Sequence, residues 1–377
     1  MMTGVTKTLT IAIPWRTMTD VSGTGAGTTR RRTRGRDQLA VLPSMTPREA
    51  QSMKKSLVTL GVLAVTALTV SGCTDSGTSP DSAPNEGSTE TRSVRVAALP
   101  IGETGALWAA IDEGIFADYG LELEIVPAQG GAQAIPALLS GDIDFAIGQP
   151  FGPFRADLQN LGVTIIGDYA DSLAEGTDVN GVVALGDSGI TGPADLAGKR
   201  VAVNSLGAAG DVTIMKAVED AGGDPTTIEF VEVSFPDAQA QLEAGNIDAA
   251  WVPDPFMSMV TGAGGNLVVH PYQATIPGLT VLTTITTQEL IDTEPELVSD
   301  FAAAMTEALD WATANEDALR AAIVENMGIP EAAAAGITLP TFTSEIKVGD
   351  LEALAALAVE FGVLDAEPDF DRLVQQQ

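Results

Sequence analysis

ALLSGDIDFAIGQPF, residues 137–151, lies over QLEAGNIDAAWVPDPF, residues 241–256. Gly141 matches Gly245, Ile143 matches Ile247, Asp144 matches Asp248 and Ala146 matches Ala250, each 104 residues apart. A shift of one then aligns Pro150-Phe151 with Pro255-Phe256. Each copy reads as a helix ending at the Gly, an acid at the turn, and a short apolar strand running into a Pro-containing loop. Two copies imply two lobes of one architecture.

The surrounding chain supports this. Val94–Leu99 reads as a buried strand, Ala106–Asp118 as an amphipathic helix, and Leu121–Val126 as a strand with one wet face. Ala132–Leu139 is helical, Ile143–Ile147 is a strand, and Val163–Ile166 is another. From Lys199 the pattern restarts: strand Arg200–Asn204, helix Asp211–Ala221, strand Ile228–Val233, helix Asp237–Ala244 and strand Ile247–Val252. After Gln288 the chain reads as helices, at 289–314, 316–326 and 350–361, with breaks at Pro295, Pro330 and Pro340. These are expected to complete the first lobe. Strand–helix alternation predicts an α/β fold of two largely parallel sheets with a ligand cleft between them. Val182–Leu185 and the segment around Pro271–Thr284 are the expected hinge crossings.

In parallel sheets, ligands bind beyond the carboxyl ends of the strands. That rule selects Gly102, Glu103 and Thr104 after the first strand, and Gln149 and Pro150 after the third. Asn204, Ser205 and Gly207 are their second-lobe counterparts, with Asp254 and Phe256 after its last strand. Gly130 and Gly131 either expose backbone amides to a ligand or simply turn the chain. Trp108 either stacks on a ring or packs in the core. Tyr169, just past Val163–Ile166, is a weaker candidate. Asp142, Asp144 and Asp248 read as turn caps rather than catalytic carboxylates. His270 reads as structural, and Lys199 and Arg200 as a solvated strand entry.

The chain has 377 residues, 19 Lys and Arg, 51 Asp and Glu, one Cys and one His. A net charge of −32 argues against nucleic-acid binding, which needs cations against phosphates. One Cys and one His leave no set of ligands for a thiolate or His-rich metal site. No metal, cofactor or catalytic residue is expected. Ten of the 19 cations lie in residues 1–72, so a basic head precedes an acidic body.

Within the head, Lys54 and Lys55 precede the uncharged, mostly apolar run Leu57–Val70. Fourteen residues are short for a membrane span, which needs about 20, but suit a signal peptide. The run ends at Val70-Ser71-Gly72-Cys73, which resembles a bacterial lipobox. That resemblance implies diacylation of Cys73 and an anchor on the outer face of the cell membrane. Residues 1–52 read as a start assigned too early or an unstructured extension, 53–72 as signal peptide, and 73–92 as a flexible tether. The body divides into lobe 1, at 93–184 and 272–377, and lobe 2, at 185–271.

GALWAAIDEGIFADYGLELEIVPAQGGAQAIPALLSGDIDFAIGQP, with DLAGKRVAVNSLGAAGDV and AGNIDAAWVPDPF, resembles the nitrate/sulfonate/taurine substrate-binding proteins of ABC transporters. That family includes binders of pyrimidine precursors. The resemblance implies a type II periplasmic-binding-protein fold, a monomer that closes on a small solute and docks on an ABC permease. Glu103 and Asp254 in the cleft loops favour an amine-bearing or neutral heterocyclic ligand over an anion. The amides at 131–133 and 208–211 would instead favour an anion or a carbonyl. A sensory domain and an enzyme of pyrimidine-precursor synthesis on this fold are the alternatives. The enzymes need reactive Cys, His and Lys; here Cys73 is committed to lipid and His270 stands alone.

Overall fold

A computed structural model describes residues 91–128 and 131–375, and of 131–133 and 332 the backbone alone. The readings made for residues 1–90, Cys73 among them, and for Gly130 lie outside the described residues.

The first segment runs β1 (Arg92–Ala98), α1 (Gly105–Asp112), α2 (Ile115–Asp118), β2 (Leu121–Pro127), α3 (Gly131–Ser140), β3 (Phe145–Gly148), α4 (Phe151–Leu158) and β4 (Val163–Asp171). The helix expected over 106–118 is split at Gly114, whose φ of 78° lies in the left-handed region that glycine adopts without steric cost. The second segment runs β5 (Asn180–Ala184), β6 (Arg200–Val203), α5 (Ala209–Asp220), β7 (Glu229–Glu232), α6 (Ala238–Glu243), β8 (Ala249–Pro253), α7 (Phe256–Gly262), β9 (Asn266–Val269) and α8 (Pro271–Thr275). The third runs β10 (Thr280–Thr287), α9 (Gln288–Thr293), α10 (Pro295–Ala314), α11 (Glu316–Met327), α12 (Glu331–Ala334), β11 (Thr341–Phe342), α13 (Val348–Glu360) and α14 (Phe370–Leu373).

Two sheets result. Their orders are β11-β4-β10-β3-β1-β2 and β7-β6-β8-β5-β9. Without the short β11, the two orders correspond strand for strand. The register corresponds too: Ala97 faces Ala146 in one sheet, and Ala202 faces Ala250 in the other.

The largely parallel reading needs correction. β1 is parallel to β2 and β3, and β6 to β7 and β8, but β10 runs antiparallel to β3 and β4, and β5 to β8 and β9. Each antiparallel strand is the first one formed after the chain crosses between sheets. It starts where its neighbours end, so it must run away from the seam. Residues 180–184, counted from sequence with lobe 1, form β5 of the second sheet, so Val182–Leu185 is not a crossing. The crossings are 172–179 and 276–279. The Ser172 N–H donates to the Leu279 carbonyl at 2.8 Å, which holds them side by side. The C-terminal helices do not all stay with the first sheet: α10 and α11 pack on α1, whereas α13 packs on α5.

The repeated acid has a mechanical role. Asp144 accepts from the Arg95 backbone N–H at 2.8 Å and from its guanidinium at 2.9 and 3.3 Å. Asp248 does the same for Arg200, at 2.9, 2.8 and 3.0 Å. The guanidiniums also donate to the Gly141 carbonyl and to the Gly245 and Asn246 carbonyls. Arg200, read as a solvated strand entry, is therefore half of a clamp that joins β6 to the turn before β8. Asp144→Ala is expected to lower the urea-unfolding free energy by about 1–3 kcal/mol, as loss of hydrogen bonds to a charged group does. Asp142→Ala, at an exposed neighbour bonded to Ser140, should cost less than about 0.5 kcal/mol. Equal losses would contradict the clamp.

Candidate ligand-binding site

The ends of β1, β3, β6 and β8 and the starts of β5 and β10 surround a cavity of about 250 Å³. Ligand pockets commonly measure about 300–1,000 Å³, so this one suits a single substituted ring. Its aromatic lining is Phe151, Phe235, Trp251 and Tyr272. Phe235 and Tyr272 meet the Trp251 indole edge-on, with ring centres 5.7 Å apart in both pairs. Glu103, Gln149, Asn180, Asn204, Ser205 and Arg155 supply the polar lining.

Among the described residues Glu103 carries the only carboxyl on this wall, and it is 2% exposed. Asn180 donates its amide to Glu103 Oε1 at 3.1 Å, joining the two lobes. Burial pushes the Glu103 carboxyl up to about 8, and the negative charge of Asp254 adds to the effect. At neutral pH it is mainly a neutral acid, able to donate a hydrogen bond. Asn180 is itself held: His270 Nδ1 lies 2.6 Å from its carbonyl oxygen, while the Asp178 N–H donates to His270 Nε2 at 3.4 Å. These contacts give His270 a proton on Nδ1 and tie the start of α8 to the entry of β5.

Gln149 is the second link. Its amide donates to Tyr272 Oη at 3.3 Å, and its carbonyl accepts from the Ala209 N–H at 3.3 Å. Arg155 on α4 is the third, donating to the Gly207 carbonyl. Partial burial moves the Arg155 guanidinium below its ordinary range.

Among the residues singled out from sequence, Glu103, Gln149, Asn204 and Ser205 line the cavity. The other described ones stand outside its lining. Gly102 is a packing glycine: a Cβ there would lie 2.9 Å from Ile337 Cγ2. Thr104 is buried and donates to the Leu99 carbonyl. Trp108 packs against the core from α1. Tyr169 is core: β4 runs on to Asp171, and the buried Tyr169 hydroxyl donates to the Thr104 carbonyl at 3.2 Å while accepting from Leu107 N–H at 3.1 Å. Gly131 is the first residue of α3, and Pro150 is buried at the start of α4. Gly207, with φ of 65°, carries the carbonyl that Arg155 binds.

Asp254 is buried outside the cavity lining, accepting from Ser258 and from the Thr338 N–H. Phe256 lies one layer behind, stacked on Phe235 with ring centres 6.2 Å apart. Asn180, Tyr272, Trp251 and Phe235 were not singled out. They sit at the start of β5, on the short helix α8, in the interior of β8 and at a turn, where no repeated motif marks them.

The family described as NMT1/THI5 like matches residues 103–318. The chain belongs to the NMT1/THI5-like family. Over 214 residues it is 24% identical to the formylaminopyrimidine-binding protein of Halalkalibacterium halodurans, spanning 56% of this chain and 63% of that one, under two thirds of its length. The alkanesulfonate-binding protein SsuA of Xanthomonas axonopodis pv. citri, solved bound to MOPS, superposes with a TM-score of 0.64 at 18% identity, covering 76% of this chain and 98% of that one. The desulfurization enzyme DSZB superposes with a TM-score of 0.58 at 18% identity, covering 76% and 96%. The fold is thus that of periplasmic solute-binding proteins, and NMT1/THI5-like architecture alone does not separate binding from catalysis. No helix among the described residues is long and apolar enough to cross a membrane.

The Glu103 carboxyl sets a pH dependence. Unfolded, it ionises near 4.5; folded, near 8. Between those values the folded state holds a proton that the unfolded state has released, so stability falls as pH rises and levels off above about 8. Asp168, also raised by burial and by Asp171, contributes to the same decline. Glu103→Gln should remove the Glu103 share, shrinking the loss of urea-unfolding free energy between about pH 5 and 8.5 by a few kcal/mol. An unchanged slope would contradict a neutral Glu103.

Proposed function

We propose that the protein is an extracytoplasmic, lipid-anchored receptor that binds an uncharged nitrogen heterocycle of the aminopyrimidine kind and delivers it to an ABC importer. One observation carries this reading: a neutral carboxyl, Glu103, stands beside Asn180 in a cavity walled by aromatic rings. A protonated carboxyl with a carboxamide offers both donors and acceptors, which the edge of an aminopyrimidine matches. The rings supply stacking faces. Arg155 on the wall disfavours a cationic amine, and Glu103 at alkaline pH disfavours an anion. The formylaminopyrimidine-binding relative supports the ligand class.

Binding without turnover is supported by the formylaminopyrimidine-binding relative. Delivery follows from closure: a solute touching both lobes stabilises the closed form by its differential affinity, and the importer would read that form. Anchoring rests on Cys73 and the apolar run before it.

Calorimetric titration at pH 7 with a formylaminopyrimidine, cytosine, nitrate and methanesulfonate is the test. A pyrimidine is expected to bind near the micromolar range, about −8 kcal/mol. Its enthalpy should not vary with buffer, since Glu103 keeps its proton. Binding of nitrate or methanesulfonate alone would contradict the ligand class. Mass spectrometry of protein extracted from membranes should find a diacylglyceryl adduct on Cys73, and a free thiol there would contradict the anchor.

A further inference from the structure

Read from sequence, the amides at 208–211 are open to an anion. In the fold the chain's own side chains take two amides at this turn. The Gly207 N–H donates to Asp211 Oδ2 at 2.6 Å, and the Ala209 N–H donates to Gln149 Oε1. Asp211 sits in the first turn of the 12-residue helix α5 and is 5% exposed. Its Oδ1 is buried with no hydrogen-bond partner. Arg155, the one cation on the cavity wall among the described residues, donates to the carbonyl of Gly207, the residue whose N–H Asp211 holds. Its charge favours the ionised form of Asp211 without an ion pair between them. Burial lifts the Asp211 carboxyl to about 6, which leaves it mostly ionised at neutral pH.

Two features that would capture an anion, a helix N-terminus and an arginine, are therefore matched to one internal carboxylate. On the reading of the cavity as a site for an uncharged ring, this explains how a fold shared with a sulfonate binder could reject sulfonates. We propose that Asp211, buried behind the cavity lining, acts through Arg155 and the first turn of α5 as a built-in counter-anion that keeps anionic solutes out of the cavity. Like charges brought together across a site oppose binding strongly, so its removal should be readable directly.

The test is calorimetric titration of the full chain at pH 7.5 with methanesulfonate, with a formylaminopyrimidine titrated in parallel. Asp211→Asn is expected to bind methanesulfonate at least about tenfold more tightly than the wild type. Adding Arg155→Met should abolish the gain, because the freed guanidinium is the receiver. If Asp211→Asn fails to fold by circular dichroism, Asp211→Ser, which keeps a short acceptor for the first turn, is read in its place. A wild type that binds methanesulfonate as tightly as the folded variant overturns the proposal, as does a gain that survives loss of Arg155. If the wild type ignores the pyrimidine while the variant gains methanesulfonate, the ligand class falls and the role of Asp211 stands.

Discussion

The paired clamps Arg95–Asp144 and Arg200–Asp248 are the constraint on which the rest is built. β1 and β3 are not consecutive strands, nor are β6 and β8, so nothing local sets their register. A multidentate arginine–carboxylate contact does, because the planar guanidinium accepts only a narrow range of carboxylate positions. With one end of each parallel pair pinned, the other ends deliver Glu103, Gln149 and Asn204 to the seam. Equivalent clamps in both sheets explain why the two halves, which share few letters, present their strand ends in matching geometry.

The seam is a place where charge is managed rather than accumulated. The protein carries a net charge of −32, yet among the described residues the cavity wall holds one carboxyl, kept protonated, and one arginine, whose charge acts on the buried Asp211. Leaving an isolated buried charge is expensive, and both groups are arranged to limit that expense. A site built this way rewards a solute that brings hydrogen-bonding edges and a flat face but no charge. The links Glu103–Asn180, Gln149–Tyr272 and Arg155–Gly207 all cross the seam, so a solute that touches them also acts on the relation between the lobes.

Much of this was legible in the residues. The repeated Gly-x-Ile-Asp, the alternating strands and the loops after them revealed two like halves and placed Glu103, Gln149, Asn204 and Ser205 at the seam. The acids of the repeat do sit at the turns, but their arginine partners, Arg95 and Arg200, lie far upstream and no local pattern joins them. Tyr169 was placed past a strand that in fact continues through it, because VTIIGDYAD contains a glycine and two acids that look like a turn. The segment around Pro271–Thr284 reads as a crossing because it separates the two repeats, yet from Thr280 it is already β10, TVLTTITT, where β-branched threonine suits a strand. Asn180 and Tyr272 were missed for a related reason: they belong to the antiparallel strand and the short helix beside the crossings, and only the folded chain brings these to the strand ends.

A crystal structure of the protein grown with a formylaminopyrimidine tests the central claim most directly. The account requires the ring to lie in the seam against Trp251 or Tyr272, with its polar edge on Glu103 and Asn180. Density for the ring on an outer surface, with the seam closed over water, would contradict it.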